Sequence, residues 1–118
     1  MKVILIGEHD KGLGTPFPAS TVSGKRRRTI IADVGLNCAL GNAFIFVMGG
    51  KTHPNDLTSM TAGFDVVVAL GAVAENACIE QGISPTRLPH PAVRGQAQLA
   101  ALRDGLGALA IRQRGGGQ

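Results

Sequence analysis

Two carboxylates and one histidine sit where a small α/β protein would do its chemistry. Glu8 and Asp10 follow at once on the apolar run Val3 to Ile6, and His90 stands between Pro89 and Pro91, just past a short candidate strand at Arg87 and Leu88. The prolines restrict the backbone on both sides of His90, so its imidazole is aimed rather than free. In an open parallel sheet, loops leaving the carboxyl ends of strands share one crevice, where ligands bind. An acid and an imidazole at two such ends make an active-site layout. His9 and His53 lack comparable support.

The loop after the first apolar run carries further candidates. Gly7 and Gly12 allow backbone amides to approach a ligand closely. A dinucleotide fingerprint would need its glycines to open directly into a helix, yet Gly12 and Gly14 are followed by Pro16 and Pro18. Gly50-Lys51-Thr52 lacks the glycine five residues earlier that a phosphate loop needs, since Ile45 stands there, and no nucleotide cofactor is expected. Phe17, one of four phenylalanines, lies between two prolines. A ring held there either caps the core or stacks on a flat base, a contact that contributes about 1 to 3 kcal/mol.

Cys38 and Cys78 are the only cysteines and lack paired spacing. Neither a metal nor a disulfide framework is expected, and buried reduced thiols in a cytoplasmic setting are the simpler reading.

These residues must be positioned by one domain, since 118 residues are too few for two. The expected boundaries are 1–114 for the domain and 115–118 for a disordered tail. Val3 to Ile6 reads as a buried strand, too short for a signal peptide. Ser23 can cap a helix from about Gly24 to Val34, with Ile30, Ile31 and Val34 on one face and Gly35 as its stop. Ala43 to Met48 and Phe64 to Leu70 read as two further parallel strands, each ended by glycine. A short helix is expected over Asn55 to Ala62, another from Ala72 to Gln81, and a last one from about Gly95 to Arg112. That last helix would turn Leu99, Leu102, Leu106 and Leu109 inward, with Gly105 and Gly107 weakening it. Strands alternating with helices predict an α/β three-layer sandwich around a central parallel sheet of about four strands. No apolar stretch approaches the roughly 20 residues of a membrane span, so a soluble chain without a membrane partner is expected.

The net charge is +4, which permits a polyanionic partner without requiring one. The clusters say more: Lys25, Arg26, Arg27 and Arg28, then Arg87 with Arg94, then Arg112 with Arg114. The first lies at the start of a helix, where positive charge opposes the dipole. A solvated helix face and a phosphate-contacting surface are both open readings of it.

Taken in order, these residues resemble the uracil-DNA glycosylase superfamily, especially the branch whose first motif begins Gly-Glu. Gly7-Glu8, the loop to Pro16-Phe17 and the helix opened by Ser23-Gly24 are similar to the first motif. Leu88-Pro89-His90-Pro91, preceded by the run Val66 to Gly71 and a helix, is similar to the second. The likeness spans about residues 3–105 and rests on joint order and spacing, since neither motif is decisive alone.

The resemblance implies that a flipped-out base enters a pocket at the strand ends. Phe17 would stack on it, and Asn42, just before the expected second strand, would read its edge, with Asn37 as a substitute. Glu8, or Asp10 in its place, would position or activate water. His90 would donate toward the uracil O2, and Arg94 would lie in the loop that contacts the opened duplex, with Lys25, Arg26 and Arg27 available to phosphates. The implied partner is DNA, no metal or other cofactor is required, and a monomer is expected. The departures are His9-Asp10-Lys11, where the family has a small residue and proline, and Ala92, where it has serine. The cluster-binding cysteines of one branch are absent and the chain is compact, like versions in phage and prokaryotic genomes. Lys11 and Ala92 motivate the alternative, a nucleic-acid or nucleobase binding module that kept the pocket and lost the chemistry.

Overall fold

The computed structural model describes residues 1–7, 22–47, 51–89 and 95–116, with the backbone alone described for 22–27, 45–47, 51–53 and 116. Four parallel strands form the central sheet: β1 (Val3–Gly7), β2 (Cys38–Asn42), β5 (Val66–Leu70) and β6 (Thr86–Leu88), in the order β2-β1-β5-β6. The helices are α1 (Val22–Val34), α2 (Leu57–Thr61), α3 (Ala72–Glu80) and α4 (Gln96–Gly116). A separate antiparallel pair, β3 (Phe44–Val47) and β4 (Lys51–Pro54), follows β2.

Alternation along β1 builds two cores from one strand, because successive side chains point to opposite faces. Val3 and Leu5 join Val68 and Leu70 on one face, covered by Ile30 and Leu36 from α1 and its exit and by Leu102, Leu106, Leu109 and Ala110 from α4. Ile4, Ile6 and Ala69 lie on the other, under Leu57 of α2 and Ala74, Ala77 and Cys78 of α3. The sheet is therefore sandwiched between helices, as the alternating pattern predicts. Leu99, expected inward, is half-buried, and α4 continues to Gly116. No helix among the described residues is long and apolar enough to cross a membrane.

The second parallel strand is not Ala43 to Met48 but Cys38–Asn42, which pairs with β1 from Val3↔Cys38 to Gly7↔Asn42. Loop length explains this placement. Helix α1 stops at Gly35, whose φ of 73° suits glycine, and Leu36 is already buried in the core. The chain then reaches the sheet at once, whereas waiting until Ala43 would need a connection longer than the usual two to six residues or so. The more apolar stretch Phe44–Val47 instead turns away and pairs with Lys51–Pro54.

Candidate functional site

The chain order of the strands defines where a crevice opens. From β1 the chain moves outward to β2 on one side and then crosses to β5 on the other. The helices that follow β1 and β5 lie on opposite faces, α1 with Ile30 in one core and α3 with Ala74 and Ala77 in the second. The loops leaving β1 and β5 must part, so the topological switch point falls between their carboxyl ends, at Gly7 and Leu70. Glu8 is the residue after Gly7 in sequence.

Asn42 stands beside this point as the last residue of β2, opposite Gly7 in the parallel ladder. It is the one buried polar residue of the described core, 6% exposed. Its side-chain oxygen Oδ1 has no hydrogen-bond partner among the described residues. An unmatched buried acceptor costs about 1 to 3 kcal/mol, so a donor from water, a ligand or a neighbouring loop is stabilising at this oxygen. Asn37, by contrast, precedes the first residue of β2 and lies at the amino-terminal end of that strand. Its N–H donates to Gln113 Oε1 at 3.0 Å. The two asparagines therefore flank β2 at different ends, and only Asn42 adjoins the switch point.

The backbone around Asn42 is held by a run of hydrogen bonds. The Ala43 N–H donates to the Gly7 carbonyl, and the Asn55 N–H donates to the Ala43 carbonyl, both at 2.8 Å. Asn55 Nδ2 donates to the Asn42 carbonyl at 2.8 Å. Beneath this corner Gly41 has no side chain, and an added Cβ would stand 2.5 Å from Met60 Sδ, so α2 lies directly over β2 there. Helix α2 starts later than the expected Asn55: Asp56 is its N-cap and accepts from Ser59 N–H at 3.2 Å and Ser59 Oγ at 2.8 Å.

On the other side of the switch point, Gly71 connects β5 to α3 with φ at 96°, and its N–H donates to the Leu88 carbonyl at 2.9 Å. This bond ties the start of α3 to the end of β6, where Pro89 follows. Because β6 lies two strands from β1, the two carboxyl ends are roughly 10 Å apart.

Of the residues expected at the site, Glu8, Asp10, Phe17, His90 and Arg94 lie outside the described residues. Lys25, Arg26 and Arg27 fall in the first two turns of α1, which has no acid in its first turn. Their side chains are likewise outside the description. In the other two basic clusters, Arg87 pairs with Glu75 at 3.2 Å, and Arg114 Nη1 donates to the Val34 carbonyl at the end of α1, at 3.4 Å. The half-exposed Arg87 pair contributes little to stability. It does match the charge of that guanidinium internally.

Sequence reasoning missed Asn55 and Gln81. Gln81 Nε2 donates to the Asn55 carbonyl at 2.9 Å, while its Oε1 accepts from the Leu57 N–H at 2.8 Å. The only signal for either was a polar residue at the edge of a helix, which is commonplace. No protein-family model and no curated protein matches the chain.

Proposed function

We propose that this chain is a compact uracil-DNA-glycosylase-like enzyme that hydrolyses the N-glycosidic bond of uracil, or of a related modified or mismatched pyrimidine, in DNA. The observation that carries the reading is the buried Asn42 oxygen, without a partner among the described residues, beside the carboxyl end of β1. A base edge presenting an N–H donor beside a carbonyl matches a carboxamide, which offers one acceptor and one donor group. The resemblance of the flanking motifs to the glycosylase superfamily supplies the rest of the assignment.

In this reading the base leaves its stack and enters the crevice between the β1 and β5 loops, a step costing a few kcal/mol. Phe17 stacks on it and Asn42 reads its edge. Breakage of the bond between base and sugar leaves positive charge on the sugar and negative charge on the base. Neutral His90 donates a hydrogen bond toward the base O2 as that charge develops, a stabilisation strengthened where water is scarce. Glu8, or Asp10, orients the water that adds to the sugar carbon and accepts its proton. Lys25, Arg26, Arg27 and Arg94 contact phosphates, whose neutralisation offsets the cost of opening the duplex.

The test uses labelled oligonucleotides carrying uracil, a thymine mismatch or hydroxymethyluracil, treated with alkali after incubation. Strand scission that vanishes in Glu8→Gln and His90→Ala supports the enzyme. Tight, salt-sensitive binding with no scission on any substrate overturns it in favour of a binding module.

A further inference from the structure

Asn42 ends an edge strand, where the sheet supports the backbone from one side only. The peptide group that follows it is nevertheless held at both ends. Its carbonyl accepts from Asn55 Nδ2 and its N–H, that of Ala43, donates to Gly7, each at 2.8 Å. Two such bonds fix ψ of Asn42 and with it the direction in which its side chain leaves the strand. Asn55 contributes a further bond, from its own N–H to the Ala43 carbonyl at 2.8 Å. Gln81, at the end of α3, then holds Asn55 by its carbonyl and holds the next turn by the Leu57 N–H. A continuous path runs from the rigid end of α3 through Gln81 and Asn55 to the corner where β1 and β2 finish.

We infer that Asn55, held by Gln81, is the positioning residue for the Asn42 carboxamide, fixing an otherwise loose strand end so that the buried oxygen meets a ligand in one orientation. The inference rests on the glycosylase reading only for what Asn42 does with a base. That Asn55 orients it can be measured with no substrate at all. Ordering Asn42 before binding removes the entropy loss that a loose side chain would suffer in the complex.

The informative variant is Asn55→Asp, which keeps the size and the backbone bond to Ala43 while replacing the Nδ2 donor by an acceptor. Gln81→Glu does the same one step back: it keeps the acceptor for the Leu57 N–H and loses the donor to Asn55. In the wild type the Asn42 side-chain amide should give one sharp pair of resonances. In Asn55→Asp these should shift and broaden, with a smaller change in Gln81→Glu. Single-turnover release of uracil, per folded molecule, should fall about tenfold in Asn55→Asp and about threefold in Gln81→Glu. In an Asn42→Ala background, Asn55→Asp should lower the rate no further, because its effect passes through Asn42.

A lower thermal midpoint with unchanged Asn42 resonances would mean a merely structural role and overturn the inference. So would rate losses in the double variant that multiply. Should the wild type release no base, the glycosylase reading falls, and the resonances of the free protein still decide whether Asn55 positions Asn42.

Discussion

The side chain of Leu88 lies against the bare backbone of Gly105: a Cβ on that glycine would stand 2.5 Å from Leu88 Cδ2 and 2.9 Å from Cδ1. This contact brings α4 down onto β6, the strand that leads to Pro89 and His90. Gly107 differs: among the described residues an added Cβ there would meet only Val34 Cγ1, at 3.7 Å. Inside a helix, alanine is better than glycine by about 1 kcal/mol. Gly107→Ala should therefore raise stability by about 1 kcal/mol. At Gly105 the same gain is outweighed by forcing Leu88 aside, an overpacking of about 1 to 3 kcal/mol, so Gly105→Ala should lose about 1 kcal/mol net. Urea unfolding of both variants checks this, and a stabilised Gly105→Ala would show that the helix does not press on β6.

From the sequence these two glycines look alike, as weak points in a helical pattern. Only the tertiary contact separates them. The same limit explains what else was legible. Strands β1 and β5 were readable because each is a β-branched apolar run closed by a glycine, α1 because its apolar face and glycine stop agree, and α3 because good helix formers run up to the stop at Gly82. Strand β2 was hidden because an edge strand beneath a close-packed methionine uses small residues, Ala39 and Gly41, and carries little hydrophobic signal. The apolar run Phe44–Val47 drew the assignment instead. Asn42 could be nominated by position in a motif, although it ends the second parallel strand rather than preceding it. Asn55 and Gln81 were invisible, since hydrogen bonds spanning 13 and 26 residues leave no local pattern.

Asp56 should make stability depend on acid. Its hydrogen bonds with the Ser59 side chain and backbone N–H hold its carboxyl below the ordinary value of 3.8. The folded value lies below the unfolded one, so the stabilisation is complete above the unfolded value and is lost as pH falls through the folded one. Asp56→Asn keeps a capping oxygen but does not titrate. Between about pH 5 and pH 2 the thermal midpoint of the wild type should therefore fall more steeply than that of Asp56→Asn. Parallel slopes would remove Asp56 from the acid sensitivity.

The two cysteines should separate by reactivity. Cys78 is wholly buried on the sheet-facing side of α3, and burial pushes its thiol up from the ordinary range, whereas Cys38 is half-buried at the start of β2. Thiolate is the reactive form, so both access and ionisation disfavour Cys78. A disulfide-exchange reagent at mildly alkaline pH should label one thiol in the folded protein and the second only at the rate of unfolding. The fast phase should disappear in Cys38→Ser. Simultaneous labelling of both would contradict the depth of Cys78 in the core.

Asn42→Leu should make the protein more stable and less functional at once. The buried Oδ1 lacks a partner among the described residues, and leucine has nearly the same shape without a polar atom to desolvate. Removing the unmatched acceptor should raise stability by about 1 kcal/mol, read as a higher urea midpoint at unchanged slope. If the carboxamide reads the base edge through its oxygen and its amide together, the same change removes both bonds, and uracil release should fall about a hundredfold. A carboxamide kept for folding would behave oppositely. Its replacement would destabilise the chain and leave the rate per folded molecule intact, and that pair of results would take Asn42 out of the site.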